Sequence, residues 1–255
     1  MTINYGEIKV PTSWDEVSVK QYIDISRLNK EDKSPELIDM MPILINKDKD
    51  YVMSLPLEFL DKILEKLTFI TKEPDVKPSN EIKIGKDTYV INYQEKLKVG
   101  EYLAADAAIK EDDKNIAKLL AILCRKKDEL FDTDFTTNLL NDRIKMYEEQ
   151  PITKVLPLFF FYAGTLQSLT ESFYLVFKYK GKHKPHSREY REFGERWGNF
   201  KTYFQICDED PEKIRKNYQQ NLEEYLTLLS YLIDKAEVDD AEMEWQNNRK
   251  KLKNR

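Results

Sequence analysis

At 255 residues the chain is long enough to bury a core without disulfide or metal staples. Charged residues make up 34% of it and aromatics 12%, a pairing that excludes a disordered chain because the rings supply enough burial to offset chain entropy. A net charge of −5 excludes bulk attraction to nucleic acid, and two isolated cysteines, Cys124 and Cys207, exclude a disulfide framework and fit a reducing compartment.

The first element expected is a strand pair over residues 3–10, ended by Pro11, which cannot donate to a ladder. Residues 1–6 carry neither a basic nor an apolar region, so no secretory leader is expected. Val19, Tyr22 and Ile23 then show the i, i+3, i+4 spacing of a short helix with one buried face, begun at Ser18. A charged break over 29–33 leads to a second helix over 35–46. Asp48-Lys49-Asp50 leads on to a third, opened by Pro56 and carrying Phe59, Leu60, Ile63, Leu64 and Leu67. Residues 73–80 hold two prolines and no apolar period, which marks a linker.

The pattern then recurs. Residues 81–91 alternate apolar and polar side chains around Gly85-Lys86-Asp87, a hairpin signal. Leu97-Lys98-Val99-Gly100-Glu101-Tyr102-Leu103 repeats Val17-Ser18-Val19-Lys20-Gln21-Tyr22-Ile23 at an offset of 80. Met40-Met41-Pro42-Ile43-Leu44 recurs as Leu119-Leu120-Ala121-Ile122-Leu123 at an offset of 79, within a helix expected over 114–126. About 16 inserted residues follow, with Phe131, Phe135 and Arg143, before Pro151 opens a helix in the place of Pro56.

A long helix is expected from Pro151 to about residue 179, and its apolar block over 155–163 is short of the roughly 20 residues a bilayer span needs. A last helix starts at Asp208-Glu209-Asp210-Pro211, with the stripe Ile214, Tyr218, Leu222, Tyr225, Leu226, Leu229, Leu232 and Ile233. Beyond Ala236 an acidic run meets a basic end, as a frayed helix or a tail. The expected class is α+β, predominantly α-helical. It comprises repeat unit 1 over 1–72, the linker 73–80, repeat unit 2 over 81–165, a helical extension over 166–235 and a charged tail over 236–255.

Catalytic signatures are missing. The chain has no GxGxxG, P-loop, HExxH or Gly-x-Ser-x-Gly pattern. Asp106, Glu111, Asp112 and Asp113 crowd into an expected loop, where solvated charge is the ordinary explanation. His183 and His186, the only histidines, form a His-x-x-His pair that lacks the further ligands of a metal site. No enzyme, metal or cofactor is expected, and Cys124, inside an apolar run, reads as a buried thiol.

The stretch 178–204 interleaves cations with aromatics and leaves two readings open. Lys180, Lys182, Lys184, Arg188 and Arg191 could hold phosphate while rings stack bases. The favoured reading is a helix that buries Tyr190, Phe193, Trp197, Phe200 and Phe204 on one face and turns its cations to solvent as a surface for an acidic partner.

The run Ile84-Gly85-Lys86-Asp87-Thr88-Tyr89-Val90-Ile91, the repeat Leu97 through Leu103 and the apolar Leu119-Leu120-Ala121-Ile122-Leu123 resemble assembly proteins of tailed bacteriophages. The likeness is to the tail-assembly-chaperone-like group: a strand pair, a leucine-x-valine-x-glutamate-tyrosine helix start, then an apolar helix ending near basic residues. Phe159-Phe160-Phe161 continues it, and it covers about residues 80–165 and, less closely, 5–70. The duplication and a helical extension of about 90 residues depart from that group. The resemblance implies a non-enzymatic morphogenesis protein in the host bacterial cytoplasm, or one retained in the virion. Its partner would be a phage structural protein of tape-measure or tail type, with self-association also open and no role for a membrane. Tyr22, Tyr102, Phe159, Phe160 and Trp197 are the partner-binding residues expected.

Overall fold

The structure, a computed structural model, describes residues 3–5, 8–28, 36–91, 97–112, 114–127, 129, 137–178 and 187–253. It is α+β and predominantly α-helical.

Both expected strand pairs form. β1 (Ile3–Tyr5) runs antiparallel to β2 (Ile8–Val10), where Ile8 and Val10 are buried and Lys9 is exposed. β3 (Glu81–Ile84) and β4 (Asp87–Ile91) are joined by a two-residue turn whose first residue, Gly85, takes a φ of +62° that a side chain would strain. Asp87 belongs to the strand instead of the turn and ion-pairs with Lys126 at 2.7 Å.

The stretch 114–126 is not one helix. α6 (Ile116–Leu123) buries every residue but Lys118, and the chain then turns extended at Cys124 (φ −105°, ψ 121°). β5 (Cys124–Lys126) pairs with β4, Cys124 opposite Ile91. The helical register gives way because β4 would otherwise present an unpaired edge, and a lone hairpin is marginal in water.

The two repeat starts share their capping chemistry. At the head of α1 (Val19–Arg27), Ser18 Oγ accepts from the Gln21 N–H at 3.2 Å while Gln21 Oε1 accepts from the Ser18 N–H at 2.9 Å. At the head of α5 (Val99–Glu111) the Glu101 carboxylate accepts from the Lys98 N–H at 2.9 Å.

The segments that complete each copy differ from the sequence alignment. The Val19 N–H donates to the Gln150 carbonyl at 2.9 Å and the Ile152 N–H to the Val17 carbonyl at 2.8 Å. In the second copy the Val99 N–H donates to the Gln220 carbonyl at 3.0 Å and the Leu222 N–H to the Leu97 carbonyl at 2.9 Å. These bridges, Ser18 to Pro151 and Lys98 to Asn221, tie α1 to the head of α8 (Ile152–Ser172) and α5 to the head of α13 (Leu222–Lys253). Pro151 therefore completes the first copy. Pro56 does open a helix, capping α4 (Leu57–Lys66), but the structural counterpart of Pro151 is Asn221, 70 residues later.

The chain clusters into two compact units, each discontinuous in sequence: Met1–Asn92 with Ala104–Ala163, and Tyr93–Leu103 with Gly164–Arg255. The stretch 73–80 is not a boundary between them. It lies in the first unit, where the Ser79 N–H donates to the Pro157 carbonyl at 3.0 Å. That unit also contains α2 (Leu37–Leu44), α3 (Lys49–Ser54) and α7 (Thr137–Glu148). α7 is formed by the inserted residues, had no expected counterpart, and packs on α6 with Tyr147 fully buried. Phe131 and Phe135 lie outside the described residues.

The second unit contains α9 (Tyr174–Lys178), α10 (Arg188–Trp197), α11 (Asn199–Ile206), α12 (Pro211–Tyr218) and α13. The long helix after Pro151 breaks at Phe173. The last helix breaks at residues 219–221, so the stripe from Ile214 to Ile233 is shared by two helices. The second break follows from the bridge to Lys98, and Asn221 Oδ1 caps the new start by accepting from the Glu223 N–H at 2.8 Å. Residues beyond Ala236 continue as helix to Lys253. No helix among the described residues is long and apolar enough to cross a membrane.

Candidate functional site

Asp210 opens α12 by accepting from the Glu212 N–H at 2.8 Å, with Pro211 in the first turn as its sequence implies. α12 fixes α11 through Tyr203, fully buried, whose hydroxyl donates to the Ile214 carbonyl at 2.6 Å. Its ring lies 5.2 Å from Tyr218 and 5.8 Å from Tyr225, and burial foremost raises its phenol. α10 starts at Ser187, whose Oγ accepts from the Tyr190 N–H at 3.1 Å.

Between α10 and α11 stands Gly198 at φ +49° and ψ −128°, a conformation that favours glycine. The expected single helix is thereby broken. Its aromatic face is also not buried: Tyr190, Phe193 and Trp197 are 52%, 46% and 43% exposed. The rings still cluster, Phe193 6.3 Å from Trp197, Trp197 6.0 Å from Phe204 and Phe204 5.8 Å from Phe200. Lys201 Nζ lies 3.7 Å from the centre of the Tyr190 ring. A cleft of about 320 Å³ opens beside them, lined by Phe193, Trp197, Lys201, Phe204, Glu209 and Ile214 among others. Such a surface offers apolar area with one cation and one anion in its lining. It suits an apolar side chain flanked by polar backbone.

The cations of α10 are offset locally. Arg188, Arg191 and Arg196 alternate with Glu189, Glu192 and Glu195, and Arg188 pairs with Glu192 at 2.6 Å. Glu189 is held below the usual carboxylate range by hydrogen bonds from its own N–H and from Ser187. Lys180, Lys182, Lys184, His183 and His186 lie outside the described residues.

The other expected partner residues are distributed over both units. In the second unit Tyr102 is only 8% exposed; Asn199 Nδ2 donates to its hydroxyl at 3.4 Å, and Phe177 stands edge-on at 6.5 Å. With Phe177, Asn199, Thr202 and Leu229 it lines a mostly apolar cavity of about 430 Å³. Burial makes Tyr102 an internal anchor and removes it from any contact surface. In the first unit Tyr22 is half-buried against Trp14 at 5.7 Å, and Trp14 in turn meets Phe69 at 5.4 Å. Burial first, then the Glu73 charge, raises the Tyr22 phenol. Phe159 is half-buried, while Phe160, 5.9 Å from it, is 39% exposed.

Sequence reasoning passed over one buried polar group of the first unit. Arg125 and Arg143 are 2% and 8% exposed, near Cys124 and Tyr147. Arg125 donates to the Ile122 carbonyl at 3.3 Å, and Arg143 pairs with Glu129. Burial pushes the Cys124 thiol up to about 12, against the opposing pull of Tyr147, Arg143 and Arg125, so it is a poor nucleophile. No sequence signal set Arg125 apart, because it opens the basic run Arg125-Lys126-Lys127 and is buried only through the strand that pairs with β4.

Of the acids expected in a loop, Asp106 and Glu111 lie on α5 and Asp112 just past it; Asp113 is not among the described residues. They form separate ion pairs, Asp106 with Lys110 at 2.7 Å, Glu111 with Lys118 at 2.5 Å and Asp112 with Arg27 at 2.5 Å. Among the described residues no three of His, Cys, Asp and Glu converge to hold a metal. Comparison with protein families, with characterised proteins and with solved structures finds no match to this chain.

Proposed function

We propose that this chain is a binding module that captures an apolar segment of another protein on the aromatic face of α10 and α11. One observation carries the reading: Tyr190, Phe193 and Trp197 stand in water beside a ready cleft. Large rings dominate interface energetics, and an exposed cluster of them marks a contact surface. The likeness of residues 80–165 to tail-assembly-chaperone-like proteins supplies the partner class, a phage structural protein of tape-measure or tail type whose apolar helices need cover before assembly. The setting is then the host cytoplasm during morphogenesis, or the virion itself. The local balance of three arginines by three glutamates on α10 favours this reading over a nucleic-acid one.

The test is capture of co-expressed virion proteins by the full chain, after nuclease and in high salt. Trp197→Ala and Phe193→Ala each remove a central ring, which at about 2 kcal/mol lowers affinity roughly thirtyfold while the thermal transition stays in place. Arg191→Ala leaves capture unchanged. Binding that collapses in salt or with nuclease, and that Arg191→Ala weakens, hands the face to nucleic acid instead.

A further inference from the structure

The turn that joins α11 to α12 carries three acids in succession, Asp208, Glu209 and Asp210. Asp208 and Glu209 both take left-handed backbone, at φ +53° and +58°, a region that residues with side chains enter at a cost. The Glu209 N–H donates back to the Phe204 carbonyl at 2.9 Å and closes the turn. The fold engages two of the three carboxylates. Asp208 pairs with Lys213 at 2.5 Å, and Asp210 caps α12 through the Glu212 N–H. Among the described residues nothing pairs with the Glu209 carboxylate. That side chain is exposed and lines the cleft beside Phe193, Trp197 and Phe204.

The other charge of the lining does not answer it. Lys201 Nζ stands 3.7 Å from the centre of the Tyr190 ring and 5.7 Å from that of Phe193, so its cation is already held by aromatic rings. The cleft therefore offers a partner electron-rich ring faces and one carboxylate without a counter-charge. A wholly apolar segment seated here would strip water from that carboxylate and give nothing back, which works against binding. An acidic segment would be repelled. A cation meets both demands, since it pairs with the carboxylate and lies favourably against the rings. Arginine fits better than lysine: its planar guanidinium stacks on an aromatic face while its fork of donors meets a carboxylate at two points.

We propose that the segment captured in this cleft carries an arginine among its apolar residues, the guanidinium pairing with Glu209 and stacking on Trp197. The proposal rests on the capture reading and adds the charge that selects among apolar segments. The rings hold any such segment, and Glu209 discriminates between them.

Calorimetry of the full chain with synthetic helical peptides tests it. The peptides share one leucine-rich sequence and differ at a single central position, filled by arginine, lysine, glutamine or glutamate. The arginine peptide is expected to bind roughly tenfold tighter than the glutamine one, with lysine between them and glutamate weakest. Glu209→Gln, at an exposed site, keeps the thermal transition and the affinity for the glutamine peptide but removes the preference for arginine. Glu209→Lys inverts the order, so that the glutamate peptide binds best. Trp197→Ala weakens every peptide. Equal affinity for the arginine and glutamine peptides, or a preference for arginine that survives Glu209→Gln, overturns the proposal; apolar capture still stands if Trp197→Ala weakens both. Peptide binding indifferent to Trp197→Ala overturns the capture reading and the arginine with it.

Discussion

Tyr147 and Cys124 show how single side chains anchor the first unit. The Tyr147 ring is fully buried, 6.3 Å from Tyr89, and its hydroxyl donates to the Cys124 carbonyl at 3.4 Å. Tyr147→Ala leaves a ring-sized cavity and is expected to cost about 3–5 kcal/mol in urea unfolding. Cys124 carries a pH signature. Its thiol is raised from 9.0 to about 12, so the folded state holds a proton that the unfolded chain releases first. Below pH 9 both states keep it and nothing changes; as pH rises from about 9 towards 12 stability falls. Urea midpoints measured at pH 8 and pH 10 should therefore fall less in Cys124→Ala than in the parent. Near neutral pH neither Cys124 nor Cys207 should react with a thiol reagent before denaturation, since both are buried.

At the scale of elements, the break at Gly198 decides whether the aromatic face exists. An alanine there is held at φ +49°, ψ −128° or else straightens α10 into α11. The strain is about 1–3 kcal/mol. Gly198→Ala should lower the melting temperature, and if the two helices fuse it should also move Trp197 away from Phe204, which Trp fluorescence and partner capture both register. Local chemistry made several elements legible in the chain: Ser18 with Gln21 and Lys98 with Glu101 as helix heads, Gly85 as a hairpin turn, Asp210-Pro211 as the start of α12. β5 was not legible, because Cys124-Arg125-Lys126 continues an apolar helical run and becomes a strand only where β4 offers a free edge. α7 was passed over although Leu140, Ile144 and Tyr147 keep the i, i+4, i+7 spacing of a helix.

At the scale of the whole chain, the duplication is one of backbone bridges. Val19 and Val99, both fully buried, lie at equivalent places in the first and second units. Val19→Ala and Val99→Ala should each cost about 2 kcal/mol by lost burial and the cavity left. Hydrogen exchange would locate the damage: the Ile152 amide, bonded to Val17, quickens in the first variant, and the Leu222 amide, bonded to Leu97, in the second. Exchange that quickens at both amides in both variants would deny that the copies are separately built.

By itself the sequence determined the helix-rich class, the two helix starts with their shared Val-x-x-Tyr face and the strand pairs before them. Each rests on chemistry among residues a few positions apart. Only the tertiary structure decided which distant segment completes each copy, because Ser18 meets Pro151 and Lys98 meets Asn221 through main-chain hydrogen bonds across 133 and 123 residues. Every residue carries the same carbonyl and every residue but proline the same N–H, so no side-chain period announces such a partner. The tertiary structure also decided that Tyr102 is enclosed while Phe193 and Trp197 face water. Both sets have the spacing of a buried helical face, and the difference lies in what the rest of the chain leaves uncovered.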